Sequence, residues 1–160
     1  MALTTSVRDP PRQNERTPHV CFKVELPSDK GSDGGLPEAL KCQLKSRVDS
    51  VRMFKIWFSG PWVLRVHSRQ HSFPTMLGKS RYSKDEWVLI VSPPRVPTVS
   101  DKLFRRKARD DVEEVMGFCR AIDASLNAIP GVTAVRWYFE GAGKQSPAVN
   151  TPDELPWAHG

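Results

Sequence analysis

At 160 residues with a formal net charge of +6, the chain is long enough for one domain with flanking segments and a core of its own. A hydrophobic share of 39% and 14 prolines point to an ordered centre between polar, Pro-rich ends, and no stretch holds the roughly 18 apolar residues that a membrane-spanning helix needs. Cys21, Cys42 and Cys119 stand in unlike contexts without a CxxC pair, which excludes a disulfide framework and a cysteine zinc site.

Met1 to Pro18 carries Arg8, Asp9, Arg12, Glu15, Arg16 and several prolines with no apolar run. That predicts a flexible arm and not a secretory leader, so the cytoplasm is the expected compartment and the thiols are expected reduced. Val20 to Leu26 alternates in strand formers and predicts a first strand; Pro27 to Gly35 has the composition of a loop. Leu36, Ala39, Leu40, Leu44 and Val48 then recur on one helical face, with Lys41, Lys45 and Arg47 mostly on the other and Pro37 suited to the first turn. Val51 to Phe58 and Trp62 to His67 predict a hairpin about Ser59-Gly60-Pro61, with Trp62, Leu64 and Val66 on one side.

His67 to Asp85, holding Pro74, Gly78 and several serines, reads as a long polar loop, and long ordered loops are often functional. Trp87 to Val91 is a continuous apolar run, as a central strand covered on both faces would be. Val112, Val115, Met116, Cys119, Ile122, Leu126 and Ile129 mark a helical stripe that Pro130-Gly131 ends. Its predicted start is near Asp111, with Glu113 and Glu114 in the first turn. A start near Asp101 would crowd basic residues at the positive end of the helix dipole. Val132 to Phe139 is a last strand, and Gly141 to Gly160 an extended tail with Pro147, Pro152 and Pro156.

This order predicts an α+β fold: the split βαββαβ (ferredoxin-like) sheet with one additional strand and both helices on one face. The expected organisation is a flexible N-terminal arm over 1–18, an α+β domain over 19–140 and a Pro-containing tail over 141–160.

Charge is distributed unevenly. Leu36 to Arg109 holds a local balance of +11, Asp110 to the end one of −5, and the first 35 residues none. Such a cationic block attracts anions whatever fold lies beneath it. Its densest part is Lys102, Arg105, Arg106, Lys107 and Arg109, beside Leu103 and Phe104 that could dock the segment on the body. It could grip phosphates with a steep salt dependence, or be a solvated linker paired with Asp110, Asp111, Glu113 and Glu114. Lys41, Lys45, Arg65 and Arg69 lie outside such local pairing, as do Arg47, Arg52, Lys55, Lys79, Arg81 and Lys84. An anionic macromolecule, nucleic acid or acidic protein, is therefore the expected partner, bound by a surface of the first helix, the 67–85 loop and the 102–109 segment.

Other motifs are weaker. Phe54, Trp57, Phe58, Trp62, Trp87, Trp137, Tyr138 and Phe139 sit on predicted strands. An open sheet with exposed rings suits single-strand readers, with Arg65 and Arg136 as candidates to line it, but the RNA-recognition consensus is absent and core packing accounts for most of the rings. His67 and His71 lack a ligand-spaced partner and are flanked by Arg65 and Arg69, so no metal site is expected. Gly141-Ala142-Gly143-Lys144 fails as a phosphate loop, since Tyr138 replaces the first Gly and Gln145 the Ser or Thr. No nucleophile elbow or Cys–His pairing is visible, and no cofactor is expected; Tyr82, Ser83, Lys84, Asp85 and Glu86 could serve a site in the long loop.

The leading expectation is a small non-enzymatic binding or regulatory protein. Its rivals are an inhibitor or immunity-type protein that occupies a toxin or effector, and an enzyme of unrecognised type using the 67–86 loop. A homodimer through the open sheet face is a further possible assembly.

Overall fold

A computed structural model describes residues 17–25, 35–55, 61–68, 71–81, 83–92, 108–141 and 144–157. The elements are β1 (Thr17–Val24), α1 (Gly35–Lys45), β2 (Ser50–Lys55), β3 (Trp62–Ser68), β4 (His71–Lys79), β5 (Glu86–Val91), α2 (Ala108–Asn127), β6 (Val132–Gly141) and β7 (Lys144–Gln145), followed by a 3-10 turn, Pro152–Glu154. The strands form one antiparallel sheet of seven in the order β2-β3-β4-β5-β1-β6-β7.

The α+β class holds, but the sheet is larger than expected and its order is not the four-stranded split one. The difference lies in β4 and in the two-residue β7, which falls in the segment expected as an extended tail. Residues expected as a polar loop form the nine-residue strand β4, in which exposed Ser72 and Met76 alternate with buried Phe73, Thr75 and Leu77. Pro74 and Gly78 disguise that alternation. Pro74 is tolerated because its carbonyl accepts from the Ser92 N–H at 3.1 Å, one residue past the end of β5. The missing N–H points the same way, so the proline forfeits only the reciprocal bond to Ser92 at the end of the β4–β5 ladder and leaves the β3–β4 ladder intact. With β4 in place, β2 to β5 form a four-stranded meander, and β1 lies between β5 and β6.

Both helices cover one face. Leu36, Leu40 and Leu44 of α1 and Val115, Phe118, Cys119, Ile122 and Leu126 of α2 join Val20, Phe22, Leu64, Val66, Phe73, Leu77, Leu89, Val91, Trp137 and Phe139 in a single buried cluster. The Phe73 and Phe118 rings stack at 4.7 Å, and the Trp137 Nε1–H donates to Asp123 Oδ1 at 2.8 Å. Burial on this scale is the dominant stabilising contribution. Helix α2 already includes Ala108, nearly a turn before the expected start, since Ala and Arg propagate a helix well.

Residues 144–157 stay on the body. Val149 exchanges two 2.8 Å backbone hydrogen bonds with Trp137. Trp157 stands edge-on to Phe139 at 4.9 Å, and Arg120 of α2 reaches Asp153 at 2.6 Å. The outer edge of β6 is thereby covered, while β2 forms the opposite edge of the sheet.

Candidate functional site

Side chains alternate along each strand, so those not directed at the helices project from the opposite face. Register aligns them into rows across the sheet. One row runs Phe54, Val63, Met76, Ile90, His19, Tyr138, each residue directly opposite the next on the neighbouring strand. A second, two residues along, begins Arg52, Arg65, Pro74. A third, on the other side of the first, holds Gly78, Val88, Cys21 and Arg136.

The two ends of the first row differ. At the β6 end, His19 is buried and stacks on Tyr138 with ring centroids 5.2 Å apart. Its Nδ1 lies 2.9 Å from the Thr17 carbonyl oxygen and its Nε2 3.4 Å from Glu140 Oε2, so both ring nitrogens face acceptors. That end is consolidated by internal contacts. At the β2 end, Phe54 is 42% and Met76 36% exposed, the exposed large hydrophobic residues among those described.

Two arginines, Arg52 and Arg65, flank that open end. Strands β2, β3 and β4 contain no Asp or Glu, yet carry Arg52, Lys55, Arg65 and Lys79. Arg52 and Arg65 are directly opposed, both exposed, and without a carboxylate partner among the described residues. The Arg65 guanidinium lies over the Phe54 ring, 5.6 Å from its centroid. Lys55 and Lys79 belong instead to the rows of the helix-covered face, where they stand over Trp62 and Trp87 at 5.2 and 5.6 Å. Like charges facing across adjacent strands destabilise a sheet, and the arginine-over-ring contact offsets part of that cost.

The predicted anion-binding residues do not assemble as one surface. Lys41 and Lys45 lie on α1, in the helical layer, whereas Arg65 is on the opposite face of the sheet. The strand directions make α1 and α2 antiparallel, so the Lys45 end of α1 and the start of α2 share one end of that layer. Arg109 falls in the first turn of α2, with its side chain outside the description; Arg69, Lys102, Arg105, Arg106 and Lys107 lie outside the described residues. Arg52, Phe54 and Met76 were not among the predicted site residues. The one local signal for the first two was the alternation of β2, which places them on a common face.

The 67–86 segment does not form a single loop that could hold a site. Strand β4 carries His67, opposite Ser72, and Glu86, beside the Lys79–Trp87 pair, to opposite ends of the sheet, roughly 20 Å apart at the usual rise per residue. The His71 side chain and Tyr82 lie outside the description, and no group of three His, Cys, Asp or Glu among the described residues could hold a metal ion. Burial, then the Glu86 carboxylate, push the Cys21 thiol above its ordinary range despite Arg136 nearby. Burial and Asp123 do the same to Cys119. Neither thiol is a ready nucleophile at neutral pH. Gly141 and Lys144 pair across the β6–β7 connection, and no α-helix follows among the described residues. No described helix is long and apolar enough to cross a membrane.

No protein-family model matches the chain, and neither a curated protein nor a solved structure matches it.

Proposed function

We propose that this is a non-enzymatic binding protein that engages an anionic macromolecule through the open face of its sheet, at the β2–β4 end. The observation that carries this reading is the Arg52–Arg65 pair, opposed on adjacent strands within three strands that hold no carboxylate. A bound anion would relieve the mutual repulsion and collect two charge-assisted hydrogen-bond donors at once. Arg136 extends positive charge across the same face. The same cations oppose a second copy face to face, since a two-fold contact would bring arginines near arginines. Placement of β1 between β5 and β6 supports an enlarged version of the split ferredoxin-like sheet, with no described helix on the face that would take a partner. That resemblance of architecture says nothing about which partner.

Fluorescence anisotropy against labelled oligonucleotides and a labelled polyglutamate peptide, at low and moderate salt, tests the proposal. Binding of at least one probe should weaken with salt. It should be lost in the double variant R52E/R65E and kept in K41E/K45E on the helical face. No binding of any probe at low salt refutes it.

A second reading, an inhibitor or immunity-type protein that occupies a partner by shape, is favoured by the exposure of Phe54 and Met76 in one row. Contiguous exposed apolar side chains are a common protein-docking feature. Recovery of one stoichiometric protein partner, lost in Met76→Glu, would establish it.

A further inference from the structure

We infer that the anionic partner is a single-stranded nucleic acid lying across β2, β3 and β4, its phosphates over the Arg52–Arg65 row and its bases over Phe54 and Met76. This rests on the anion-binding reading above and names the chemistry of the occupant.

Two features of the face favour it over an acidic peptide. First, the cationic and apolar rows are parallel, one two residues along the strands from the other, a separation of roughly 7 Å set by the strand rise. A nucleotide has that same division, with an anionic edge and a flat apolar body. A carboxylate chain would satisfy Arg52 and Arg65 but offers nothing planar to set over an exposed phenyl ring. Second, the Phe54 ring, 42% exposed, has the Arg65 guanidinium 5.6 Å from its centroid. Aromatic rings and guanidinium planes are the two surfaces on which unpaired bases stack.

Duplexes fit poorly, because their bases are stacked internally and only phosphates could meet this face. Selectivity among sequences is not expected: stacking tolerates any base, and no side-chain amide stands in either row to read one. The buried His19–Tyr138 stack at the far end sets the limit of the platform.

The experiment uses the full chain and four labelled probes in anisotropy titrations at low salt: a short oligouridine, the equivalent DNA strand, a duplex of the same length and a polyglutamate peptide. Single strands should bind at least about fivefold more tightly than the duplex, and Phe54→Ala should weaken single-strand binding by about fivefold or more, the low end for loss of one stacking platform. Phe54→Trp should preserve binding, and Arg65→Ala should reduce both affinity and salt dependence. Circular dichroism of each variant confirms that an exposed substitution leaves the fold intact.

Binding of polyglutamate without binding of single strands would overturn this inference and leave the anion-binding reading standing. Failure of all four probes would overturn both. Duplex binding as tight as single-strand binding, or an unaffected Phe54→Ala, would overturn the stacking arrangement and with it the assignment of a single strand.

Discussion

Gly131 joins α2 to β6, and there a single methyl group should do more damage than at Gly35, Gly78 or Gly117. Its backbone is left-handed at φ 88°, and its carbonyl accepts the Glu25 N–H at 2.8 Å. A Cβ there would stand 2.4 Å from the Glu25 carbonyl oxygen and 3.3 Å from its carbon. Both are backbone atoms, so the clash is relieved only by pulling the end of β1 away from the start of β6. Left-handed backbone costs a non-glycine residue roughly 1–2 kcal/mol. Losing the hydrogen bond to Glu25 adds about 1 kcal/mol. Reduced freedom of the unfolded chain returns about 0.4–1 kcal/mol. With the displaced strand ends, Gly131→Ala should cost about 2–4 kcal/mol, a large share of the stability of a domain this size. Urea unfolding followed by tryptophan fluorescence measures it. Gly131→Asn separates the causes, since Asn tolerates the left-handed region but still carries a Cβ. A loss below about 0.5 kcal/mol for Gly131→Ala, the scale of an ordinary surface change, would refute the steric reasoning.

Two further outcomes follow from the core. Trp137→Phe removes the indole N–H that Asp123 accepts at 2.8 Å and shrinks a fully buried side chain; unfolding by urea should show a loss of about 2 kcal/mol or more, and a loss near zero would mean that the bond contributes nothing. Cys119 sets a pH dependence. Its thiol is pushed far above the ordinary 9.0 by burial and Asp123, so the unfolded thiol ionises first and the folded chain holds the extra proton. Stability from this group is therefore intact below pH 9 and declines as pH rises beyond it. Cys119→Ala should flatten part of that alkaline decline in melting temperature measured across pH 7 to 10. A decline identical in both proteins would contradict it.

The elements that sequence reveals are those whose signals are local. The stripe from Val115 to Leu126 and the Leu36, Leu40, Leu44 face require only helical periodicity, and both helices bury those residues. The inward set Trp62, Leu64, Val66 needs only alternation; the structure buries Leu64 and Val66 and half-buries Trp62. Strand β4 was hidden because Pro74 and Gly78 look like punctuation, and a proline is tolerated there because its missing N–H faces the last pair of the β4–β5 ladder and not β3. The candidate site was legible in part: Arg65 and the possibility of an open aromatic face could be read from the chain, whereas Arg52 stood as one cation among many and Phe54 as one ring among many.

By itself, then, the chain determined its class, its two amphipathic helices, most of its strands and the concentration of positive charge in its middle. All of these are properties of neighbours along the polymer. Only the tertiary structure decided that Arg52 faces Arg65, that Phe54 and Met76 lie in one exposed row, and that Lys41 and Lys45 belong to the other side of the molecule. Strand register creates those relations, and it is set by pairing between segments distant along the chain and by the burial of one sheet face under two helices. A one-residue slip would exchange the faces, so no local pattern can specify which side chains meet.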